Sequence, residues 1–171
     1  HSWPHRDRLE RVLRKAEFVV VQDMFHDTAT AHFAHLILPA AGCGEKEGTF
    51  INSERRLGLL RKVLDPPGEA LPDLQVFQNI ARAWGCAQLL RDWTSPEAVF
   101  QSLKRLSRGT PCDFSGISGY EMLERSGGVQ WPFPEGSPAA AVAKTRGYLP
   151  AENTERRLFE DGEFFHPDGR A

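Results

Sequence analysis

Gln22-Asp23 closes the apolar run E-F-V-V-V-Q-D, so an amide and a carboxylate stand together at what reads as the end of a strand. Ligands of open α/β sheets bind outside the carboxyl ends of their strands. An acid there can accept two hydrogen bonds from a guanine edge or a ribose diol, although a strand-end acid equally suits a turn. Lys46 stands in G-E-K-E-G, where flanking glycines allow close backbone approach and the ammonium could meet a phosphate as a point charge. A solvated lysine in a charged loop has the same spacing. His26, His32 and His35 cluster without a well-placed third ligand, so packing or surface histidines are expected. Cys43 lies in a small-residue loop with no base beside it. Glu54-Arg55-Arg56 could bind an anion, pair with a neighbouring domain, or line a solvated strand edge. Trp131 in V-Q-W-P-F-P reads as an apolar anchor for docking on a neighbouring domain. No G-x-x-x-x-G-K-[ST] loop is present, and no G-x-G-x-x-G follows a strand.

The elements that must position these groups follow from periodicity. Leu9, Val12 and Leu13 share a face in Arg6 to Lys15, which predicts a surface helix. Glu17 to Gln22 and Leu36 to Leu38 suit buried parallel strands, with a helix from Thr28 to Ala34 capped by Asp27 between them. Thr49 to Ile51 reads as extended. Asp65-Pro66-Pro67-Gly68 is a turn, and Asp73 precedes the stripe Leu74, Val76, Phe77 and Ile80, where its local role is a helix cap. Ser95-Pro96-Glu97 opens another helix, running to about Leu106. Ser118 to Glu121 fits a capping box for a short helix through Leu123. Residues 127–150 are rich in Gly, Pro and Ala with little periodicity, and are expected to form an extended arm.

Composition narrows the classes. The 171 residues carry 21 Lys+Arg against 23 Asp+Glu, a formal charge of −2, which argues against bulk-charge binding of nucleic acid or an anionic membrane. No apolar run approaches the length of a membrane span. Three cysteines without a C-x-x-C pair make a disulfide framework or a self-contained zinc site an unsuitable reading. A chain running from His1 to Ala171 without an initial Met reads as a piece of something longer.

The run from Val19 to Arg56, V-V-V-Q-D-M-F-H-D-T-A-T-A-H-F-A-H-L-I-L-P-A-A-G-C-G-E-K-E-G-T-F-I-N-S-E-R-R, resembles the molybdopterin oxidoreductases of the dimethyl sulfoxide reductase superfamily. P-G-E-A-L-P-D at Pro67 to Asp73, G-V-Q-W-P at Gly128 to Pro132 and H-P-D-G-R-A at His166 to Ala171 agree in order. Within the superfamily the pattern is most similar to bacterial assimilatory nitrate reductases, with formate dehydrogenases next. The resemblance implies an α/β fold: a partial Rossmann-like parallel sheet with flanking helices, then an extended, irregular arm. It divides the chain into a dinucleotide-binding segment, 1–126, and a linker, 127–171, leading to a C-terminal β-barrel outside it.

The resemblance also implies a cofactor, bis(molybdopterin guanine dinucleotide) molybdenum, and a 4Fe-4S cluster bound elsewhere in the parent. Gln22, Asp23, Lys46 and Asp73 match the positions that hold the guanosine end of one dinucleotide. No catalytic residue or metal ligand is expected within these residues, so the segment alone is expected to be inactive. Implied partners are the remaining domains of the same polypeptide, an electron donor and a small-anion substrate. Assimilatory relatives are cytoplasmic, and periplasmic ones are exported. Two places depart from the pattern: many relatives read D-I-F-M-T where this chain has Asp23 to Asp27, and often Asp where it has His35. Formate oxidation is an alternative within the same chemistry. A molybdenum-free scaffold like the large iron–sulfur subunit of respiratory complex I, or a stand-alone interaction domain, would be non-enzymatic alternatives.

Overall fold

The computed structural model describes residues 3–150, 157–160, 162, 164–166 and 168–170. The H-P-D-G-R-A stretch thus lies partly outside the described residues. The chain forms two compact units, His1–Lys46 with Lys62–Ala87, and Glu47–Arg61 with Gln88–Ala171.

In the first unit α1 (Arg6–Lys15) leads into β1 (Val20–Asp23), which pairs in parallel with β2 (Leu36–Pro39), from Val20↔Leu36 to Asp23↔Pro39. The run alternates as a pleat should: Val19 and Val21 are buried with Ala31, against Leu13, Ala16 and Ala34. The strands were expected to be covered on both faces. Instead Phe18 is 64% and Val20 45% exposed, because a two-stranded sheet has a covered face and an open one. The expected helix from Thr28 shrinks to a single 3-10 turn, Ala31–Phe33. Thr28 Oγ1 accepts the Ala31 N–H at 3.2 Å, a local bond that competes with helix, and Asp27 turns to His32 at 3.2 Å instead of capping. After β2, a parallel bridge between Ala40 and Leu71 delivers the chain to α2 (Asp73–Ala83), which buries Val76 and Ala81.

The second unit is built on an antiparallel sheet, β3 (Gly48–Ile51), β4 (Arg56–Leu60) and β5 (Val129–Gln130), in the order β3-β4-β5. The turn from β3 to β4 is held by Asn52, whose Oδ1 accepts the N–H groups of Glu54 and Arg56, with Arg55 in the left-handed region at φ 64. α3 (Pro96–Ser107) starts as its sequence requires, with Ser95 accepting the Ala98 N–H at 3.1 Å and Pro96 in the first turn. α4 (Tyr120–Ser126) differs from the expected capping box. Its first N–H, on Tyr120, is accepted by Glu97 of α3 at 3.1 Å, and Gly127 ends the helix at φ 64.

The core of this unit joins Leu57, Phe100, Phe114, Ile117, Tyr120, Met122, Leu123, Val129 and Phe133, with Ala140 and Ala143. Each large side chain there contributes about 1.5–3 kcal/mol by leaving water. Residues 127–150 therefore do more than extend: they supply β5, Phe133 and α5 (Pro138–Arg146), whose small alanines allow close approach to the core. The class is the expected mixed α/β. Among the described residues, no helix is long and apolar enough to cross a membrane.

Candidate cofactor-binding site

Three of the four residues singled out by sequence meet at one carboxylate. The loop after β2 turns through a 3-10 segment, Cys43–Glu45, in which Glu45 Oε2 accepts the Gly42 N–H at 2.8 Å. The Gly44 carbonyl accepts from both Val63 and Leu64, which pins the loop to the strand-leaving segment. Lys46 follows in extended conformation, and its Nζ donates to Asp73 Oδ2 at 2.5 Å. From the end of β1, Gln22 Nε2 donates to Asp73 Oδ1 at 2.6 Å.

Asp73 is thus no cap. Pro72 holds the N-cap position, and no side chain caps α2 there. Asp73 sits in the first turn, where a negative charge is favoured by the helix dipole, and reaches back to β1 and to the loop. The Lys46 ammonium holds its carboxyl below the usual carboxylate range; partial burial opposes this, and the Gln22 amide adds a smaller push the same way. Asp73 keeps 47% of its side chain exposed and Lys46 29%, so both groups are accessible while paired.

Asp23 behaves differently. Its Oδ1 accepts the Phe25 N–H at 3.1 Å, the turn-forming bond that sequence reasoning set beside ligand binding. It also lines a cavity of about 660 Å³ with Leu9 and Leu13 of α1 and with Asp27, Thr28 and Phe33. The structure therefore brings Gln22, Lys46 and Asp73 together and sets Asp23 towards a separate concavity of the same unit. Asp27 and Thr28 belong to that lining, yet nothing in their local sequence marks them beyond turn chemistry.

Of the remaining candidates, His35, Arg55, Arg56 and Trp131 have structural partners. His35 Nδ1 accepts the Val19 N–H at 3.0 Å and its ring stacks on Phe18. Among the described residues, no group of three or more His, Cys, Asp or Glu side chains is arranged to hold a metal ion. Arg55 donates to the Trp131 carbonyl at 2.8 Å and lies over its ring, while Arg56 donates to the Gly128 carbonyl at 3.3 Å. These bonds tie the β3–β4 turn to the G-V-Q-W-P stretch. Trp131 is packed against the core of its own unit.

Chemically, the cluster is an ionised acid held by two donors at the carboxyl end of a parallel pair of strands, a position suited to binding rather than bond-breaking. A profile described as Molybdopterin oxidoreductase matches residues 1–83. The chain is 35% identical over 170 residues to the nitrate reductase of Synechocystis sp. (strain ATCC 27184 / PCC 6803 / Kazusa), covering 99% of this chain and 22% of that protein. It is 36% identical over 170 residues to the assimilatory nitrate reductase catalytic subunit of Bacillus subtilis (strain 168), covering 99% and 21%. It is also 38% identical over 131 residues to the F420-dependent formate dehydrogenase subunit alpha of Methanocaldococcus jannaschii, covering 77% and 18%. The chain spans about a fifth of the length of the curated relatives it matches. With the ordered motifs and the α/β architecture, these matches establish that the chain belongs to the molybdopterin oxidoreductase family.

Proposed function

We propose that this chain is the part of a molybdenum-dependent catalytic subunit that holds the guanosine end of bis(molybdopterin guanine dinucleotide), and that the parent protein reduces nitrate to nitrite. The observation carrying the reading is Asp73, gripped by Lys46 and Gln22 at the strand ends. The donor set fits the group. Guanine offers an acceptor, O6, beside two donors, N1–H and N2–H, and a lysine paired with a carboxylate presents the complementary donor beside acceptors. Adenine presents the reverse order. Asp23, on its cavity, is suited to accept from a ribose diol or from the base.

When bound, the molybdenum cofactor supplies the two-electron chemistry in which nitrate takes up two electrons and two protons and leaves as nitrite and water. The residues of this chain bind and orient; the family's cluster ligands and metal-ligating side chain belong to other parts of the parent polypeptide, which is its principal partner. Nitrate is favoured by the two nitrate reductases matched over 99% of the chain. Formate is the second reading, supported by the formate dehydrogenase relative at 38% identity.

The test is to express the full-length protein under molybdenum-replete conditions and measure metal and guanine nucleotide after denaturation. Molybdenum with about two guanine nucleotides per chain, as the bis-dinucleotide form requires, is expected. Nitrate-dependent oxidation of a reduced dye would then separate nitrate from formate. Iron without molybdenum or guanine would refute the proposal in favour of an electron-wiring scaffold.

A further inference from the structure

We infer that His35 is a pH-sensitive clasp at the amino end of the β1–β2 pair: uncharged, it closes the ladder on the Val19 amide, and protonated, it releases that amide. The inference does not depend on which cofactor or substrate the parent protein takes. Val19 and His35 stand one step before the paired run, which begins at Val20↔Leu36. They exchange two bonds. The Val19 carbonyl accepts the His35 N–H at 2.9 Å, and the Leu36 N–H at 3.2 Å. In the other direction the Val19 N–H donates to His35 Nδ1 at 3.0 Å, so a ring nitrogen stands where a strand carbonyl would serve. The evenly spaced, slanted bonds of a parallel ladder do not join one residue of each strand reciprocally. Here the side chain supplies the missing half.

That bond requires one protonation state. To accept from an amide, Nδ1 must offer a lone pair, so the ring is neutral and carries its proton on Nε2. A second proton sets N–H against N–H. Turning the ring over brings no relief, because both nitrogens of the charged ring are donors. Val19 is 9% exposed, so an amide that loses its acceptor there has little water to replace it. His35 itself is exposed and stacks on Phe18, with ring centroids 5.9 Å apart. A charged ring therefore stays hydrated, and the penalty falls on the strand.

The charged groups of the surrounding elements are Arg14 and Lys15 at the end of α1, Glu17 before Phe18, and Asp27 and His32 at the 3-10 turn. Asp27 and His32 pair with each other at 3.2 Å, and Arg14 lies over the Phe33 ring. Among the described residues, none of these groups forms an ion pair with His35. Protonating His32 strengthens its pair with Asp27, so acid acts there in the opposite sense. β1 is four residues long, and Gln22 and Asp23 close its other end. With the Val19 amide released, the start of that short strand is held through the Val19 carbonyl.

The experiment is hydrogen exchange read by mass spectrometry on the full-length protein, in peptides covering residues 18–23, with α3 as the reference. Rates are corrected for the intrinsic pH dependence of amide exchange. The series runs from about pH 8 to about pH 5, the interval in which histidine side chains ordinarily change charge. Wild-type protection of 18–23 should fall about tenfold across it, the scale of one bond lost from a buried donor, while α3 stays unchanged. His35→Asn places an oxygen where Nδ1 stands and accepts at every pH, so its protection should be high and flat. His35→Phe keeps a ring for the Phe18 stack and offers no acceptor, so its protection should be flat at the wild-type acid level. If His35→Phe fails to fold, wild type against His35→Asn decides. A flat wild-type profile would overturn the inference. So would wild-type pH dependence surviving in His35→Asn, which would assign the effect to another group, or wild-type protection at pH 8 in His35→Phe.

Discussion

Asp73→Asn separates binding from folding. The substitution keeps the size and shape of the side chain, removes its charge, and sets an amide where two donors now converge. For stability the consequence is small. The pair with Lys46 is partly exposed, at 29% and 47%, so solvent screening limits its worth to about 1 kcal/mol or less. An Asn side chain also retains one oxygen able to accept from Lys46 or Gln22. For the nucleotide the consequence is large. One acceptor oxygen becomes a donor facing guanine's own donor, and the other loses its charge. Each charge-assisted hydrogen bond is worth about 1.5–3 kcal/mol, so guanine retention should drop by roughly 10- to 100-fold. The assay is guanine per full-length chain after denaturation and chromatography, beside a thermal unfolding curve of the same sample. Wild-type guanine content in the variant would refute the argument that Asp73 reads the nucleotide. Gross unfolding would refute it too, by showing that the carboxylate serves the fold.

Other consequences concern the unit that carries the β3–β4–β5 sheet. Gly58→Ala would place a Cβ 2.4 Å from Phe50 Cζ, so the ring must leave; a cost of about 1–3 kcal/mol should appear as lost hydrogen-exchange protection in β3 and β4, and should vanish in a Phe50→Ala background. Ser95→Ala removes the cap of α3 and should cost about 1 kcal/mol, read from urea unfolding, whereas an unchanged midpoint would mean that Pro96 alone sets the helix start. Burial raises the Asp113 carboxyl, but bonds from the N–H groups of Gly109 and Ser115 outweigh it, and the net shift is downward. A lowered folded value contributes stability that is complete above the ordinary carboxylate value of about 3.9 and is lost as pH falls through the lowered one. Exchange protection around 107–116 should therefore persist at pH 5 and weaken in stronger acid, and Asp113→Asn should flatten that dependence.

Much of this was legible locally. Arg6 to Lys15 has charges on every side but one, and forms α1 at those bounds. Ser95-Pro96-Glu97 contains its whole helix start within three residues. Two of the differences share a cause: the deciding partner lies far along the chain. Tyr120 is capped by Glu97, so the Ser118 signal was beside the point. Asp73 carries the local signature of a cap, since an acid in a helix's first turn is favoured whatever else it bonds; Gln22, which it meets, is 51 positions away. Residues 127–150 lacked periodicity because their burial rests on isolated large side chains, Val129 and Phe133, and on alanines that carry little hydrophobic signal. Of the candidate site, the residue types were readable and their grouping was not: Asp23 and Gln22 are adjacent in sequence but serve different surroundings.

That divergence follows from the strand itself. Successive side chains of a strand point to opposite faces, and here Gln22 meets Asp73 while Asp23 lines the cavity against α1. A ligand that touches both must lie across the end of β1, where the ladder stops at Asp23↔Pro39. The same end receives α2 through two backbone bonds, Leu71 N–H to the Pro39 carbonyl at 3.2 Å and Ala41 N–H to the Leu71 carbonyl at 2.9 Å. They lie two residues before Asp73, so they fix which residue of the incoming chain faces Gln22. A slip of one residue in such a pairing would turn the side chains to the other face, putting Pro72 or Leu74 where the carboxylate now stands. The placement of the acid is thus decided by backbone register at Pro39 to Ala41, and the side chains of Gln22 and Lys46 refine an orientation that the register has already chosen.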